Sequence, residues 1–267
     1  MDNRPIGIFD SGIGGLTAAK VLEELLPHED IIYFGDSGRN PYGGRSRAEL
    51  VKLSGEDADF LADMGVKAIL AACGTTSTNA MPELRRSRPD MPFFDVLDAP
   101  CLRVCDVTKS GRVAVIATEA TIRTGAYERR LKELDGGLDV FSLACPEFAG
   151  MVERGHFRSG DPIAEGAVER ALAPLRRYGA DTLLLGCTHF PLLSDIIARV
   201  LGGITQVSAG AEAAAKLSGE LAAAGLLSER SERGRHDYYT SGDPAVFAAG
   251  AEIFLGHAVE PKRHIIT

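Results

Sequence analysis

Short apolar runs alternate with longer amphipathic ones along most of the chain. "RPIGIFD" (4–10) reads as a strand and leads through "SGIGG" into "LTAAKVLEELL", whose apolar residues recur at helical spacing. "DIIYFGD" (30–36) is the next strand. After the turn-rich "SGRNPYGGRS" comes the helical "AELVKLSGEDADFLADMG", and "VKAILAAC" supplies a third strand. This β-α-β-α-β order predicts a mostly parallel sheet with helices on both faces.

The order then repeats. "GRVAVIAT" (111–118) is strand-like, "EATIRTGAYERRLKEL" helical and "LDVFSLAC" (138–145) strand-like again. "PEFAGMVERGHF" reads as an extended or loop region. "DPIAEGAVERALAPLRRYG" is a helix ending at Gly179 with arginines in its last turns, and "ADTLLLGC" (180–187) returns to a strand. The tail reads as a helix (211–226), a charged loop (228–236), a strand "DYYT" and a final helix (244–255), packed back on the first half. The fold class is therefore α/β: two pseudo-symmetric doubly wound domains with mostly parallel sheets and a cleft between them. The first domain takes 1–97 plus the returning 208–267, and the second takes 98–207.

Two strands of this pattern end alike. Gly65 stands eight residues before Cys73, and Gly179 eight before Cys187. Each cysteine closes an apolar run and has a threonine close behind, Thr75 and Thr188. In open α/β sheets, ligands bind at the carboxyl ends of the strands. A lone buried cysteine is ordinarily a small core hydrophobe. Two at matching ends of duplicated strands are not explained that way. A strand-to-helix turn also places each sulfur near backbone N–H groups and a positive helix end, which favours thiolate.

Composition narrows the classes. Of 267 residues, 45% are hydrophobic and 25% charged, an ordinary globular balance. No apolar run approaches the roughly 18 residues of a membrane helix. The N-terminus enters a strand-like run directly, so no signal peptide is expected and the cytoplasm is the expected compartment. A net charge of −8 argues against nucleic acid as a partner, because phosphate binding wants a basic face. The five cysteines, Cys73, Cys101, Cys105, Cys145 and Cys187, are odd in number and irregularly spaced. They suit free thiols better than a disulfide framework, and no cluster has metal-ligand spacing.

"GIFDSGIGGLTA" (7–18) partly matches a dinucleotide loop. Gly12 and Gly14 fit G-x-G-x-x-G, and Asp36 ends the next strand where a ribose-binding acid would sit. Thr17 breaks the pattern, and Asp10 beside the glycines would repel a pyrophosphate. The turn is better read as one that presents a carboxylate, Asp10, and a hydroxyl, Ser11. His189, two residues after Cys187, can hold or take a proton. Asp10 can serve Cys73 in the same manner, and Glu153 is a weaker candidate. Tyr42 and Gly43 follow the second strand, on the same carboxyl side, where their hydroxyl and amide could meet a ligand carboxylate.

Two thiols on opposite walls of a cleft suit racemisation: one takes a proton from one face of a carbon while the other delivers to the opposite face. The stretches "IGIFDSGIGGLT", "GDSGRNPYG", "LAACGTT", "LLLGCTHFPLL" and "YYTSGDPAVF" resemble, in order and over nearly the whole chain, the glutamate racemases of the aspartate/glutamate racemase superfamily. The resemblance implies a cofactor-independent isomerase that interconverts L- and D-glutamate for peptidoglycan synthesis and is commonly a homodimer. No pyridoxal phosphate, nicotinamide or metal is expected. Carried over by position, Cys73 and Cys187 are the acid/bases, assisted by Asp10, His189 and Glu153. The substrate pocket takes Asp10, Ser11, Tyr42 and Gly43 from the first strands, with Thr75, Thr188 and His189 from the cysteine turns. The alternatives are a superfamily member acting on aspartate or another acidic compound, a decarboxylase of the kind that lacks the first cysteine, and a non-catalytic binder of an acidic ligand. One residue departs from the family: asparagine usually follows the first cysteine, and here it is Gly74, which keeps only its backbone N–H. The expectation is a lost substrate contact that Gly74→Asn would restore.

Overall fold

The computed structural model describes residues 1–266. The first half runs β1 (Ile6–Asp10), α1 (Leu16–Leu25), β2 (Ile31–Gly35), α2 (Arg47–Asp63), β3 (Ala68–Ala71), α3 (Gly74–Asn79), α4 (Met81–Ser87) and β4 (Phe93–Asp95). α5 (Asp98–Val107) leads into β5 (Arg112–Ala117), α6 (Glu119–Thr124), α7 (Ala126–Leu134), β6 (Asp139–Ala144), α8 (Pro146–Glu153), α9 (Pro162–Tyr178) and β7 (Thr182–Leu185). A 3₁₀ turn (Phe190–Leu193), α10 (Ser194–Leu201) and β8 (Thr205–Ser208) follow, then α11 (Ala209–Ala223), β9 (His236–Thr240), α12 (Pro244–Leu255) and β10 (Lys262–Arg263).

The strands form two parallel sheets. One has the order β10-β9-β2-β1-β3-β4 and the other β6-β5-β7-β8. The four-strand order repeats: β2-β1-β3-β4 matches β6-β5-β7-β8, with β1 equivalent to β5 and β3 to β7. Gly65 and Gly179, ahead of β3 and β7, share a left-handed conformation, with φ of +73° and +72°. β1, β2, β3 and β7 are buried along their whole length, as continuous apolar strands of parallel sheets should be. In the tail, β9 pairs with β2, and α11 packs on α1 and α5. Buried apolar residues of both sheets join in one cluster, so the halves share a core.

Several stretches differ from the sequence reading. "PEFAGMVERGHF" begins with a helix, α8, whose Phe148, Met151 and Val152 are buried at helical spacing. Its Pro146 occupies the first turn, where a missing N–H costs nothing. "EATIRTGAYERRLKEL" is two helices, because Gly125 turns left-handed at φ +62° and caps the first. The short strands β4, β8 and β10 carry too few residues to show a period.

Candidate active site

The carboxyl ends of β1, β3, β5 and β7 open into one cavity of about 420 Å³. Asp10 and Ser11 enter it from the end of β1, and Tyr42 and Gly43 from the loop after β2. Cys73, Gly74 and Thr75 line it from the turn after β3, and Cys187, Thr188 and His189 from the equivalent turn after β7. Glu153 reaches it from the end of α8. Every site residue drawn from the sequence therefore borders the same space. Thr118 and Thr121, at the start of α6, also line it and were not singled out. Their signal was the hydroxyl cap after β5, where Thr118 accepts from the Thr121 N–H at 3.3 Å.

The two cysteine turns differ in electrostatics. The Cys73 thiol donates to Ser11 Oγ at 3.5 Å. Burial, and then the negative charge of Asp10, push it up to about 11; hydrogen bonding with Ser11 and Thr76 only partly opposes this. The expectation of a ready thiolate at Cys73 is thus corrected: α3 has only six residues, and its N-terminus does not outweigh burial beside a carboxylate. Asp10 is itself 1% exposed, with Oδ2 accepting from the Gly15 N–H at 2.9 Å.

Cys187 Sγ lies 3.7 Å from His189 Nδ1, and His189 Nε2 lies 2.9 Å from Glu153 Oε1. Burial works against charge on this imidazole, but its bonds to Cys187 and Glu153, with the charges of Cys187 and Asp10, outweigh that and raise it to about 10. Both ring nitrogens then donate, one to sulfur and one to carboxylate. Glu153, the weakest candidate in the sequence, is held against His189 because α8 is a helix.

The glycines of "SGIGG" serve the opposite half. A Cβ on Gly14 would lie 2.3 Å from His189 Nδ1, so the missing side chain is what admits the imidazole. Thr17, the residue that breaks the dinucleotide pattern, donates to the Thr188 carbonyl at 2.9 Å. Asp36 is not free for a ribose: Arg39 and Ser241 both hold it. Tyr42 is a further correction. The residue borders the cavity, but its hydroxyl is held between Asp36 and Asp57 at 2.6 and 2.7 Å, so the hydroxyl is not free for a ligand carboxylate. The space an asparagine side chain would need at 74 is also filled. A Cβ there would lie 2.6 Å from the Gly186 carbonyl oxygen.

Comparison with known proteins gives the family. The Asp/Glu/Hydantoin racemase family model matches residues 35–217. The chain is 40% identical to the glutamate racemase of Exiguobacterium sibiricum over 265 residues, covering 99% of this chain and 97% of that one. It superposes on the glutamate racemase of Francisella tularensis in complex with D-glutamate with a TM-score of 0.91 at 36% identity, covering 100% and 98% of the two chains. For the Thermus thermophilus glutamate racemase in complex with β-chloro-D-alanine the TM-score is 0.88 at 37% identity, covering 100% and 99%. Among the described residues no helix is long and apolar enough to cross a membrane. With a family model spanning most of the chain and full-length relatives at this identity, the chain belongs to the Asp/Glu/Hydantoin racemase family of isomerases.

Proposed function

We propose that the protein is a cofactor-independent glutamate racemase that uses Cys73 and Cys187 as a two-base pair, supplying D-glutamate for peptidoglycan from the cytoplasm. The observation that carries this reading is the pair of cysteines on equivalent turns of two matching sheets, lining one cavity. The relative that binds D-glutamate supports the substrate.

The Cα–H of an amino acid is a very weak acid, so one sulfur must be charged and the other protonated before reaction. In this reading Cys187, beside the His189 imidazolium, removes the proton. Cys73, kept as a thiol by burial and Asp10, delivers one to the opposite face. The roles exchange for the other enantiomer. Ser11, Thr75, Thr188 and the Gly74 N–H are donors for the carboxylate as charge develops at Cα. Asp10 and Glu153 act through the groups they touch.

Purified protein dialysed against chelator, with no cofactor added, is expected to drive the optical rotation of L-glutamate to zero. L-Aspartate in parallel measures substrate choice. No change over hours at high enzyme concentration would reduce the chain to a binder of acidic ligands.

The His189–Glu153 contact has a signed pH effect. An imidazole raised from 6.5 to about 10 adds stability that is full below 6.5 and lost as pH rises through about 10. Glu153→Gln removes the facing charge. It is expected to move the alkaline limb of kcat/KM down by about one pH unit or more. An unshifted limb would detach Glu153 from the chemistry.

A further inference from the structure

The loop between β2 and α2 carries residues 40–44 along the cavity wall. Beneath it lies a buried cluster that the chemistry above does not use. Asp36 and Asp57 are wholly buried. Arg39 Nε donates to both Asp36 oxygens at 2.9 and 2.8 Å, its Nη2 to Asp57 Oδ1 at 2.7 Å, and it also pairs with Glu56. Ser241 donates to Asp36 Oδ1 at 2.6 Å. The Tyr42 hydroxyl sits between Asp36 Oδ2 at 2.6 Å and Asp57 Oδ2 at 2.7 Å.

A phenol has one proton, and here it faces two carboxyl oxygens at hydrogen-bond distance. Two oxygens that close with no hydrogen between them repel, so the second contact needs a proton of its own. Asp36 already accepts from Arg39 and Ser241 and suits the charged form. Asp57 has only Arg39 on one oxygen, with Glu56 beside it on α2. With both aspartates ionised, Asp36 and Asp57 would hold two negative charges away from water against the single positive charge of Arg39, with the partly exposed Glu56 beside them.

We propose that Asp57 carries a proton in the folded protein, and that the chain from Asp57 through Tyr42 to Asp36 positions the 40–44 backbone along the cavity. Asp57 Oδ2 then donates to Tyr42, and Tyr42 donates to Asp36. Burial, followed by the charge of Asp36, pushes the Asp57 carboxyl well above the usual range, in the same direction. Leu50 and Leu53 pack on the Tyr42 ring, so ring and hydroxyl together pin the loop. Tyr42 and Asp57 are positioning residues. Their effect on catalysis rests on the racemase reading; the proton on Asp57 does not.

Asp57→Asn separates a proton from a charge. An amide can donate to Tyr42 and still accept from Arg39, as the protonated acid does. Its KM for glutamate at neutral pH is expected to stay within about threefold of wild type, less than one hydrogen bond is worth. As pH rises and Asp57 ionises, facing Asp36, Tyr42, Arg39 and Glu56, wild-type KM should climb more steeply than that of Asp57→Asn. Tyr42→Phe leaves both carboxyls short of a partner and should raise KM roughly ten- to a hundredfold with a smaller change in kcat. If Asp57→Asn raises KM as much as Tyr42→Phe at neutral pH, the proton assignment is overturned. Infrared spectroscopy reads the proton without turnover. At pH 8, where exposed carboxyls are ionised, wild type should show a protonated-carboxyl band that Asp57→Asn lacks and Tyr42→Phe shifts. Absence of that band from wild type overturns the proposal, whatever the protein does to glutamate and whether or not Asp57→Asn folds.

Discussion

Replacing either Cys73 or Cys187 with serine is expected to lower glutamate racemisation a thousandfold or more, of the order a positioned acid or base contributes. Each change swaps sulfur for oxygen at a turn residue that is less than a tenth exposed, so the fold should survive. Serine is far less acidic than cysteine, and one face of Cα then lacks a working base. Elimination from a β-chloro amino acid needs only one proton abstraction, with the Cα–Cβ double bond forming as chloride leaves. Each mutant should therefore retain elimination with one enantiomer, and the two mutants should prefer opposite ones. The Thermus thermophilus relative, which binds β-chloro-D-alanine, makes that compound a reasonable probe. Near-wild-type racemisation by either mutant would end the two-thiol reading.

Gly74→Asn is expected to lower kcat/KM by about tenfold or more, the opposite of the gain foreseen from the family's asparagine. The obstacle is the first side-chain atom. A Cβ at 74 would meet the Gly186 carbonyl oxygen at 2.6 Å, and that oxygen is backbone, which cannot swing aside. Gly74 and Gly186 each adjoin one of the two cysteines proposed as bases. Relief of the clash would push the two turns apart and spoil the spacing of the thiols, where small displacements are costly. Gly74→Ala, which has the Cβ but no amide, should lose about as much. If asparagine raises the efficiency for either enantiomer while alanine lowers it, the amide contact matters more than the clash. Measuring both enantiomers of glutamate and aspartate separates the two.

Much of the fold was legible because its signals are local. A continuous apolar run of five residues and a helical period of ten need no partner to be seen, so β1, β2, α1, α2 and α12 were readable. The duplication was legible for the same reason: two glycines eight residues ahead of two cysteines mark equivalent strands, and the sheets share one strand order. α8 was lost because Pro146 resembles a break when its place in the first turn is unknown.

The candidate site divides along the same line. The sequence by itself determined which residues stand at the carboxyl ends of the strands, since strand length and chain direction suffice to place Asp10, Cys73 and Cys187 there. Only the tertiary structure decided what each residue meets. His189 fits against Gly14, Glu153 closes on His189, and Gly74 abuts Gly186 across gaps of 175, 36 and 112 residues in the chain. Tyr42 turned from the ligand to Asp36 and Asp57 because two buried carboxyls needed a partner more than the cavity did. Cys73 holds its proton because burial and a neighbouring carboxylate set its charge. Both are through-space properties that no spacing along the chain encodes.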